Sequence, residues 1–332
     1  MADTTKIEWT DSTWNPITGC TLVDDGCRNC YAAELAATRL KSHPSRAGLA
    51  RKNAAGVAKF TGEVRLNAQW LTQPLHWRKP RMIFVCAHGD LFHEGVPDDW
   101  IDRVFAVIAL CPQHTFQVLT KRPERAREYF DRLIGNEDRC RDVIEASRKS
   151  GALLGDLPDL RDRLVNLPLP NVWLGTSVSD QASADARIPE LLATPAAVRF
   201  LSAEPLLGPV SLEWLAHDGD GVIDALRGED WIEADGPLAE VQIHGQLDIC
   251  ALRRQVIAKR PTLDWVIVGG ESGRNARPMH PDWARSLRDQ CQAAGVAFFF
   301  KQWGTWDEWG DRAGKKAAGR LLDGRQWNEV PG

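Results

Sequence analysis

A chain of 332 residues can bury a substantial core, and its formal net charge of -4 excludes general polyanion binding through a uniformly basic surface. With 43% hydrophobic and 26% charged residues, the composition is that of an ordinary globular protein. The first residues contain neither a basic leader nor an apolar run, and no apolar stretch reaches the length of a membrane span. We therefore expect a cytoplasmic protein without a membrane partner.

Three cysteines lie close together in the stretch GCTLVDDGCRNCYA, residues 19–32. Cys27 and Cys30 form a Cys-x-x-Cys pair, and Cys20 lies seven positions before Cys27. Two thiolates on such a loop can converge on one metal centre, and a third can complete the set. Tetrahedral zinc would need a fourth ligand, such as His43 or another cysteine, whereas three thiolates leave one iron of a [4Fe-4S] cluster open. Ordinary thiols or a disulfide are the remaining interpretation.

The other five cysteines have no close partner in the sequence. Cysteine is among the most buried residue types, so we expect each of them to pack in the core. They are Cys86, Cys111, Cys140, Cys250 and Cys291. In a reducing compartment this number of thiols does not indicate a disulfide framework.

Six short apolar runs, rich in β-branched and aromatic residues, predict strands that are buried on both faces. They are MIFVCA (82–87), TFQVLT (115–120), NVWLGTS (171–177), AVRFLSAE (197–204), DWVIVGGES (264–272) and VAFFFKQWG (296–304). Helical spacing appears between them, from Trp100 to Ile108, from Ala126 to Leu133 and from Trp283 to Cys291. This alternation predicts an α/β fold with a parallel sheet, in the form of a partial or complete (β/α) TIM-type barrel.

We expect one domain over residues 1–332, with two additions to the barrel. Residues 134–170 carry charge, helix-like patches and two proline turns, and they predict a helical excursion. Residues 211–262 lack a strong strand pattern and predict an insertion over one end of the barrel. Near the carboxyl end, the Asp-Gly pair at 323–324 predicts a tight turn or hairpin.

Polar residues follow every apolar run, and parallel strands would gather them at one edge of the sheet. Asp90 follows the first run and lies between His88 and His93. Helix capping is one role for Asp90. Another is metal binding with His88 and Glu204, which would make the protein a metal-dependent hydrolase.

Lys121 and Arg122 follow the second run. Either side chain can bind a carboxylate or phosphate, or the two can form a solvated pair at a helix start. After the third run, Ser177, Ser179 and Asp180 are candidates for contact with ribose hydroxyls.

We assign Glu204 and Lys301 as candidate catalytic residues. Glu204 is a carboxylate at the barrel mouth, in a turn that Pro205 stiffens. Lys301 ends the last apolar run, so its ammonium group must point to the cavity or to water. Gln302 and Trp303 follow it and would suit a planar substrate such as a base.

The sequence GGE at 269–271 also follows a predicted strand. Its glycines allow a ligand to approach the backbone closely, and Glu271 can face the barrel mouth.

Several ordered motifs together resemble a phage-associated three-cysteine family with no assigned reaction. They are WNPITGCTLVDDGCRNCYA, GDLFH, LTKRPER, WLGTSV, EPLLGP, WVIVGGESG and FFFKQWG, and they span most of residues 6–330. The Asn-Pro, Gly-Cys and Cys-Tyr-Ala elements are also similar to the cluster loop of radical S-adenosylmethionine (SAM) proteins, including those related to spore photoproduct lyase. That pattern has three residues between the first two cysteines, whereas this chain has six, TLVDDG.

The radical SAM resemblance implies that Cys20, Cys27 and Cys30 hold a [4Fe-4S] cluster whose fourth iron binds SAM. One electron from the cluster would cleave SAM and release a 5′-deoxyadenosyl radical, so the resemblance also implies an electron-donor protein as a partner.

The same resemblance implies roles for residues around the cofactor. Asp90 would bind the SAM ammonium group, Lys121 or Arg122 its carboxylate, and Tyr31 its adenine, although core packing explains Tyr31 equally well. The residues that we assign to cofactor binding are Tyr31, Asp90, Lys121, Arg122, Ser177 and Glu204.

The resemblance to phage-associated proteins and to relatives of a DNA-lesion lyase implies nucleic acid as a candidate substrate, for base modification or repair. The acidic net charge opposes this, because phosphate contacts call for a basic surface. The basic clusters ARKNAAGVAK and LRRQVIAKRP would supply such a surface locally, or they are solvated faces and loops. A non-catalytic, cluster-bearing partner protein is the alternative to an enzyme.

Overall fold

A computed structural model describes residues 5–149, 163–164, 166–216, 221–233, 242–243, 246–247 and 254–332. The strands are β1 (Ser12–Trp14), β2 (Ile17–Thr18), β3 (Ala50–Lys52), β4 (Ala58–Phe60), β5 (Arg65–Leu66), β6 (Met82–Val85), β7 (Thr115–Thr120), β8 (Val172–Val178), β9 (Val198–Ala203), β10 (Leu215–Ala216), β11 (Gly221–Asp224), β12 (Glu229–Glu233), β13 (Gln242–Ile243), β14 (Gln246–Leu247), β15 (Arg254–Lys259), β16 (Trp265–Gly269) and β17 (Ala297–Gln302). The α-helices are α1 (Tyr31–Ala37), α2 (Ala68–Leu71), α3 (Asp98–Leu110), α4 (Pro123–Leu133), α5 (Glu137–Lys149), α6 (Gln181–Ala193), α7 (Pro281–Ala294) and α8 (Lys315–Ala318). Two 3-10 turns cover Asp25–Cys27 and Gln73–His76.

Seven strands form one parallel sheet in the order β1-β6-β7-β8-β9-β16-β17, which is also their order along the chain. Each new strand is added beside the last, so the chain winds in one direction as in a β/α barrel. A doubly wound sheet would instead reverse its strand order. Within the described residues β1 and β17 are the two edges of the sheet, so the fold is mixed α/β with an open, partial barrel.

All six apolar runs form strands of this sheet, as predicted: β6, β7, β8, β9, β16 and β17. Every residue of β16 is buried, which agrees with a strand covered on both faces. The sequence does not predict β1, because its three residues, Ser-Thr-Trp, are too short and too polar to form an apolar run. Pairing with β6, from Ser12 beside Ile83 to Trp14 beside Val85, holds β1 in the sheet.

Helices cover one face of the sheet. The three segments with helical spacing are α3, α4 and α7, as predicted. Val85, Leu201 and Val268 of the sheet belong to the same buried cluster as Val104 of α3 and Leu287 of α7. Burial of this apolar layer provides the main core of the protein.

The opposite face of the sheet carries a second, aromatic cluster, whose rings we call the aromatic plug: Trp9, Phe84, Phe200, Trp265 and Phe299. Trp9 precedes β1, and its ring centroid lies 4.8 Å from that of Phe84 and 6.1 Å from those of Phe200 and Trp265. Tilted and edge-on ring contacts of this kind add to the free energy gained from burial. The plug therefore fills the inside of the partial barrel toward the amino ends of the strands.

The Asp-Gly pair near the carboxyl end forms the tight turn that the sequence predicts. Both central residues have positive φ, 53° at Asp323 and 74° at Gly324. Backbone hydrogen bonds join Leu322 and Arg325 in both directions across the turn. Positive φ at both central positions is the reason that Asp-Gly is favoured in such turns.

The two predicted additions are described in part. Helix α5 lies in the predicted excursion at 134–170, of which residues 150–162 and 165 lie outside the described residues. In the predicted insertion at 211–262, the strands β10, β11, β12 and β15 form an antiparallel sheet of their own. Residues 217–220, 234–241, 244–245 and 248–253 of that segment lie outside the described ranges.

Four of the five scattered cysteines are buried, as predicted: Cys86, Cys111, Cys140 and Cys291. Cys250 lies outside the described residues. No helix in the described part of the chain combines the length and the apolar character needed to cross a membrane.

Candidate functional site

A cavity of about 470 Å³ lies at the carboxyl ends of the parallel strands. Residues at or just after the ends of β6, β7, β8, β9, β16 and β17 line it. The segments before β1 and after β2 form further parts of the wall, together with Phe60 and Lys315. The predicted site residues that line this cavity are Cys20, Cys27, Cys30, Tyr31, Asp90, Lys121, Arg122, Ser177, Glu204 and Lys301. The structure therefore places the three cysteines, the six assigned cofactor-binding residues and the two assigned catalytic residues around one cavity.

We call residues 19–30 the cysteine loop. It begins at Gly19, whose φ of 101° favours glycine, and a Cβ there would lie only 2.1 Å from the carbonyl oxygen of Glu63. The Gly19 N–H donates to the carbonyl oxygen of His88 at 3.1 Å. These contacts fix the start of the loop, and with it Cys20, against the segment after β6.

The thiols of Cys20 and Cys30 are protonated at neutral pH. Burial, with a contribution from Asp90, raises the pKa of Cys20 to about 12, although Arg122 opposes the shift. Burial also raises the pKa of Cys30, although hydrogen bonds from the backbone N–H groups in the first turn of α1 oppose the shift. Arg122 Nη1 lies 3.7 Å from Cys20 Sγ. Binding a metal here would release protons from both thiols.

The described residues contain no group of three or more His, Cys, Asp or Glu side chains placed to hold a metal ion. The zinc hypothesis names His43, whose Nδ1 lies 2.8 Å from Ser45 Oγ and which does not line the cavity. The hydrolase hypothesis needs His88, Asp90 and Glu204 around one ion, and these three form no such group in this geometry. The side chains as they stand give no support to either hypothesis, and Cys20, Cys27 and Cys30 are likewise not placed to hold a single metal ion.

Asp24 fixes the middle of the cysteine loop. Its carboxylate accepts hydrogen bonds from Lys121 Nζ at 2.8 and 3.1 Å and pairs with Arg187 Nη2 at 2.6 Å. It also accepts the backbone N–H of Cys27 at 3.2 Å, at the start of the 3-10 turn. Burial would raise the pKa of Asp24, but the two cations outweigh burial and lower it to about 2. Asp24 is therefore ionised at neutral pH.

Glu271 and Arg277 hold the other side of the loop. Arg277 donates to the Glu271 carboxylate at 2.7 and 3.0 Å, and it also binds the carboxylate and the backbone carbonyl of Asp25. Asn29 Nδ2 donates to Glu271 Oε2 at 3.1 Å and to the carbonyl of Asn275 at 2.8 Å. Glu271 lines the cavity, and its carboxylate is engaged by the loop.

The glycines before Glu271 also make room for neighbouring atoms of the protein. A Cβ at Gly270 would lie 1.9 Å from the carbonyl oxygen of Trp303, and one at Gly269 would lie 3.2 Å from Glu204 Cδ. Glycine at these two positions makes room for the neighbouring strand end and for Glu204.

Asp90 is buried, and protein donors use both of its oxygens. Thr120 Oγ1 donates to it at 2.7 Å, and the backbone N–H groups of Phe92 and Lys121 donate at 3.0 and 3.1 Å. Arg122 Nη1 completes the set at 3.0 Å. No helix begins directly after Asp90, so it caps a turn rather than a helix.

Arg122 links the cysteine loop to the segments after β6 and β7. Besides Asp90, it donates to Glu94 Oε1 at 2.7 Å and to Thr21 Oγ1 at 2.5 Å. His93 Nε2 lies 3.1 Å from the same Thr21 hydroxyl. The predicted solvated role for Arg122 is wrong, because this side chain is buried.

Glu204 and Lys301 form an ion pair on the cavity wall. Lys301 Nζ lies 2.7 and 2.9 Å from the two carboxylate oxygens of Glu204. Gln302 Nε2 donates to Glu204 Oε1 at 3.0 Å, and Ser177 Oγ donates to the Glu204 backbone carbonyl at 3.3 Å. The end of β9 and the end of β17 thus place a carboxylate and an ammonium group side by side.

Tyr31 presents its ring at the cavity. Its hydroxyl donates to the carbonyl of Ala87 at 2.5 Å, and 53% of the residue is exposed. The ring meets that of His88 edge-on at 6.1 Å. The core-packing explanation for Tyr31 is therefore wrong.

Three neighbours of the predicted site do not line the cavity. Asp180 caps α6, where it accepts the N–H of Ser183 at 2.9 Å. Ser179 is buried outside the cavity lining. Trp303 is buried too, and its indole N–H donates to the carbonyl of Leu321 at 2.7 Å. The roles in ribose and base binding proposed for these residues have no support in this geometry.

The sequence motifs miss the residues that hold the cysteine loop in place: Asp24, Asn29, Arg187 and Arg277. Asp24 and Asn29 lie inside the loop, and the other two lie away from the strand ends. The acidic pair in TLVDDG is the one signal in the sequence that points to them.

Comparison with known proteins identifies the family and no activity. The sequence matches DUF5131, described as a protein of unknown function, over residues 4–331. No curated protein and no solved structure matches the chain. Because the match covers nearly the whole sequence, this chain belongs to the DUF5131 family.

Proposed function

We propose that this protein is a radical SAM-type enzyme that holds a [4Fe-4S] cluster through Cys20, Cys27 and Cys30. One observation carries the proposal: the cysteine loop after the first strand and the polar ends of the other six strands of a partial β/α barrel line a single cavity. The resemblance to phage-associated three-cysteine proteins and to the radical SAM cluster loop supports it.

The residues present fit the proposed cluster chemically. Three cysteines supply soft sulfur ligands, which iron–sulfur clusters prefer, and they leave one iron free of protein. The Arg122 guanidinium beside Cys20 offsets negative charge on a thiolate. When bound, the cluster and SAM supply 5′-deoxyadenosyl radical chemistry.

The chain's own side chains would bind and orient the substrate. Glu204 and Lys301 can hydrogen-bond to a substrate and exchange a proton with it at the Glu204 carboxylate or at Lys301 Nζ. The exposed ring of Tyr31 offers a face on which a planar group can stack. The aromatic plug beneath the cavity closes the inside of the barrel, which excludes water from that side.

Anaerobic purification or reconstitution tests the proposed cofactors. We expect about four iron and four sulfide per chain and a broad absorbance in the visible range. The iron, the sulfide and the absorbance should all be lost when the three cysteines are changed to serine. With a chemical reductant and SAM, the loaded protein should form 5′-deoxyadenosine.

Three results would overturn this proposal, each in a different way. A loaded protein that binds SAM but never forms 5′-deoxyadenosine would exclude radical chemistry. A loaded protein that does not bind SAM would be a non-catalytic, cluster-bearing partner. A colourless protein with stoichiometric zinc would be a zinc protein, and zinc or manganese that stays after loss of the three cysteines would favour a metal-dependent hydrolase.

We propose nucleic acid or a nucleotide as the substrate class and an electron-donor protein as the partner. The predicted basic cluster ARKNAAGVAK forms the β3–β4 hairpin, where Arg51 and Lys52 are exposed. Lys59 Nζ of the hairpin donates to the carbonyl of Arg28 in the cysteine loop at 3.0 Å, and Phe60 lines the cavity. Because Lys52 Nζ lies 2.8 Å from Glu34 Oε1, the positive charge that the hairpin offers beside the site comes mainly from Arg51 and Lys59.

A gel shift with single-stranded and double-stranded DNA tests the substrate class. We expect a shift at low salt that weakens as salt rises, and a weaker shift for the variant Arg51→Glu/Lys52→Glu. The matched control is Arg141→Glu, which changes an exposed arginine on α5. Absence of a shift at low salt would exclude nucleic acid and leave a free nucleotide as the substrate to test.

A further inference from the structure

We infer that Asp24, held between Lys121 and Arg187, is a positioning residue that allows a cysteine loop of unusual length to present its thiols to one cluster. This inference rests on the proposed function, because it assigns a purpose to the six residues between Cys20 and Cys27. The order of this loop can be measured in the protein without iron.

A longer spacing between two ligands raises the conformational freedom that must be lost when both bind the same centre. Contacts that order the loop beforehand reduce that loss. The structure places such contacts at Asp24, which lies four residues after Cys20 and three residues before Cys27. The question is then whether these contacts are strong enough to order the loop.

The ion pairs at Asp24 are shielded from water. Exposed fractions of the side chains are 20% for Asp24, 16% for Lys121 and 9% for Arg187. Arg187 is itself fixed, because its Nη1 donates to the carbonyl of Ser177 at the end of β8 at 2.7 Å. Buried, hydrogen-bonded charges of this kind leave uncompensated partners when one of them is removed. The middle of the loop is therefore tied to the ends of β7 and β8.

Gly26 gives independent support for a tightly docked loop. A Cβ at this position would lie 2.1 Å from Ser179 Oγ and 2.9 Å from Lys121 Nζ. A side chain here would therefore have to displace the Ser179 hydroxyl and the Lys121 ammonium group, because the loop lies close against the ends of β7 and β8.

The far side of the loop is held as well. Asp25 pairs with Arg277, and Asn29 donates to Glu271, which itself pairs with Arg277. The loop therefore spans the cavity from the ends of β7 and β8 to the end of β16. In this arrangement the ammonium group of Lys121 is engaged by Asp24, so Lys121 is also a positioning residue.

The first test uses the protein without iron and measures how fast each loop thiol reacts with a maleimide, by mass spectrometry. Asp24→Asn keeps the size of the side chain and removes its charge, and Gly26→Ala changes no charge. We expect both changes to speed the labelling of Cys20 by about tenfold or more. Asp142→Asn, on an exposed carboxylate of α5, and Gly208→Ala, where the new Cβ meets only an ordinary contact at 3.6 Å, are the matched controls.

The second test measures iron and sulfide per chain and the half-time of cluster loss to a chelator. We expect Asp24→Asn and Gly26→Ala to lose the cluster about tenfold faster than the wild type and both controls. Arg187→Met should match Asp24→Asn, and the double variant should be no worse than the more severe single change, because both act on one contact. Thermal unfolding of each protein without iron excludes loss of the fold as the cause.

The two tests separate failure of this inference from failure of the proposed function. If the wild type takes up no iron, the proposed function is wrong, and the labelling rates still show whether Asp24 orders the loop. If the wild type is loaded but Asp24→Asn keeps both its labelling rate and its cluster half-time, the inference is wrong and the proposed function stands. Faster labelling with unchanged cluster half-time would likewise overturn the inference.

Discussion

The inside of the partial barrel has two ends with opposite chemistry. Toward the amino ends of the strands lies the aromatic plug, whose rings contact one another at centroid distances of 4.8 to about 6 Å. Toward the carboxyl ends lies the cavity, where Glu204 pairs with Lys301 and Asp24 pairs with Lys121. One end is held by apolar burial, and the other by charges that come from distant parts of the sequence.

This difference separates stability from function along the same strands. Strand β16 shows how, since Trp265 and Ile267 face the plug while Val266 and Val268 face the helices. Such alternation fixes the strand from both sides. The carboxyl end of the strand is then free to carry polar groups, which substrates and cofactors need.

Removal of a plug residue should have the largest effect on stability. Trp265→Ala should lower the free energy of unfolding by about 3–5 kcal/mol, because it leaves a cavity among buried rings. Urea unfolding followed by circular dichroism measures the loss. Trp309→Ala is the control, since Trp309 is 80% exposed and its removal should change the free energy by less than about 0.5 kcal/mol. Equal effects of the two changes would show that the plug is not a packed core.

Acid should destabilise the mouth of the barrel and leave the plug unaffected. Burial, together with Arg46 and Arg39, lowers the pKa of His88 to about 4. The unfolded imidazole has its ordinary pKa near 6.5, so the unfolded state binds the proton first as the pH falls. The contribution of His88 is complete above pH 6.5 and is lost between pH 6.5 and 4, to a total of about 3 kcal/mol.

The measurement is the free energy of unfolding between pH 7.5 and 4.5 for the wild type and for His88→Asn. The variant should show a shallower decline, and the difference isolates His88 from His93 and His114, whose pKa values burial also lowers. Trp265→Ala should shift the whole curve without changing its slope. Parallel curves for the wild type and His88→Asn would contradict a buried neutral imidazole at the mouth.

The fold could be predicted in large part because its strands are continuous apolar runs. Six of the seven strands of the sheet and the helices α3, α4 and α7 come directly from such patterns. The missing strand, β1, depends on pairing with β6 and has no pattern of its own. The position of Trp9 in the plug is likewise set by contacts with Phe84, Phe200 and Trp265, which no local pattern reports.

The cavity lining could also be predicted, because parallel strands end at one edge and polar residues after each run must meet there. The partners of those residues could not. Arg187 lies inside a helix, and its contact with Asp24 joins residues that are far apart in the sequence. Asp90 shows the same limit, because only the structure reveals that four protein donors already use its carboxylate.

The smallest effect should come from the ion pair in the cavity wall. A double-mutant cycle with Glu204→Gln and Lys301→Met should give a coupling energy of about 1–2 kcal/mol, since both side chains are mostly shielded from water. The exposed pair of Asp138 and Arg141 on α5 is the control, and its coupling should stay below about 0.5 kcal/mol. Urea unfolding of the four proteins in each cycle gives both values. Equal coupling in the two pairs would mean that water screens Glu204 as it does a surface carboxylate, and the mouth would then lack the preorganised charge that a catalytic pair requires.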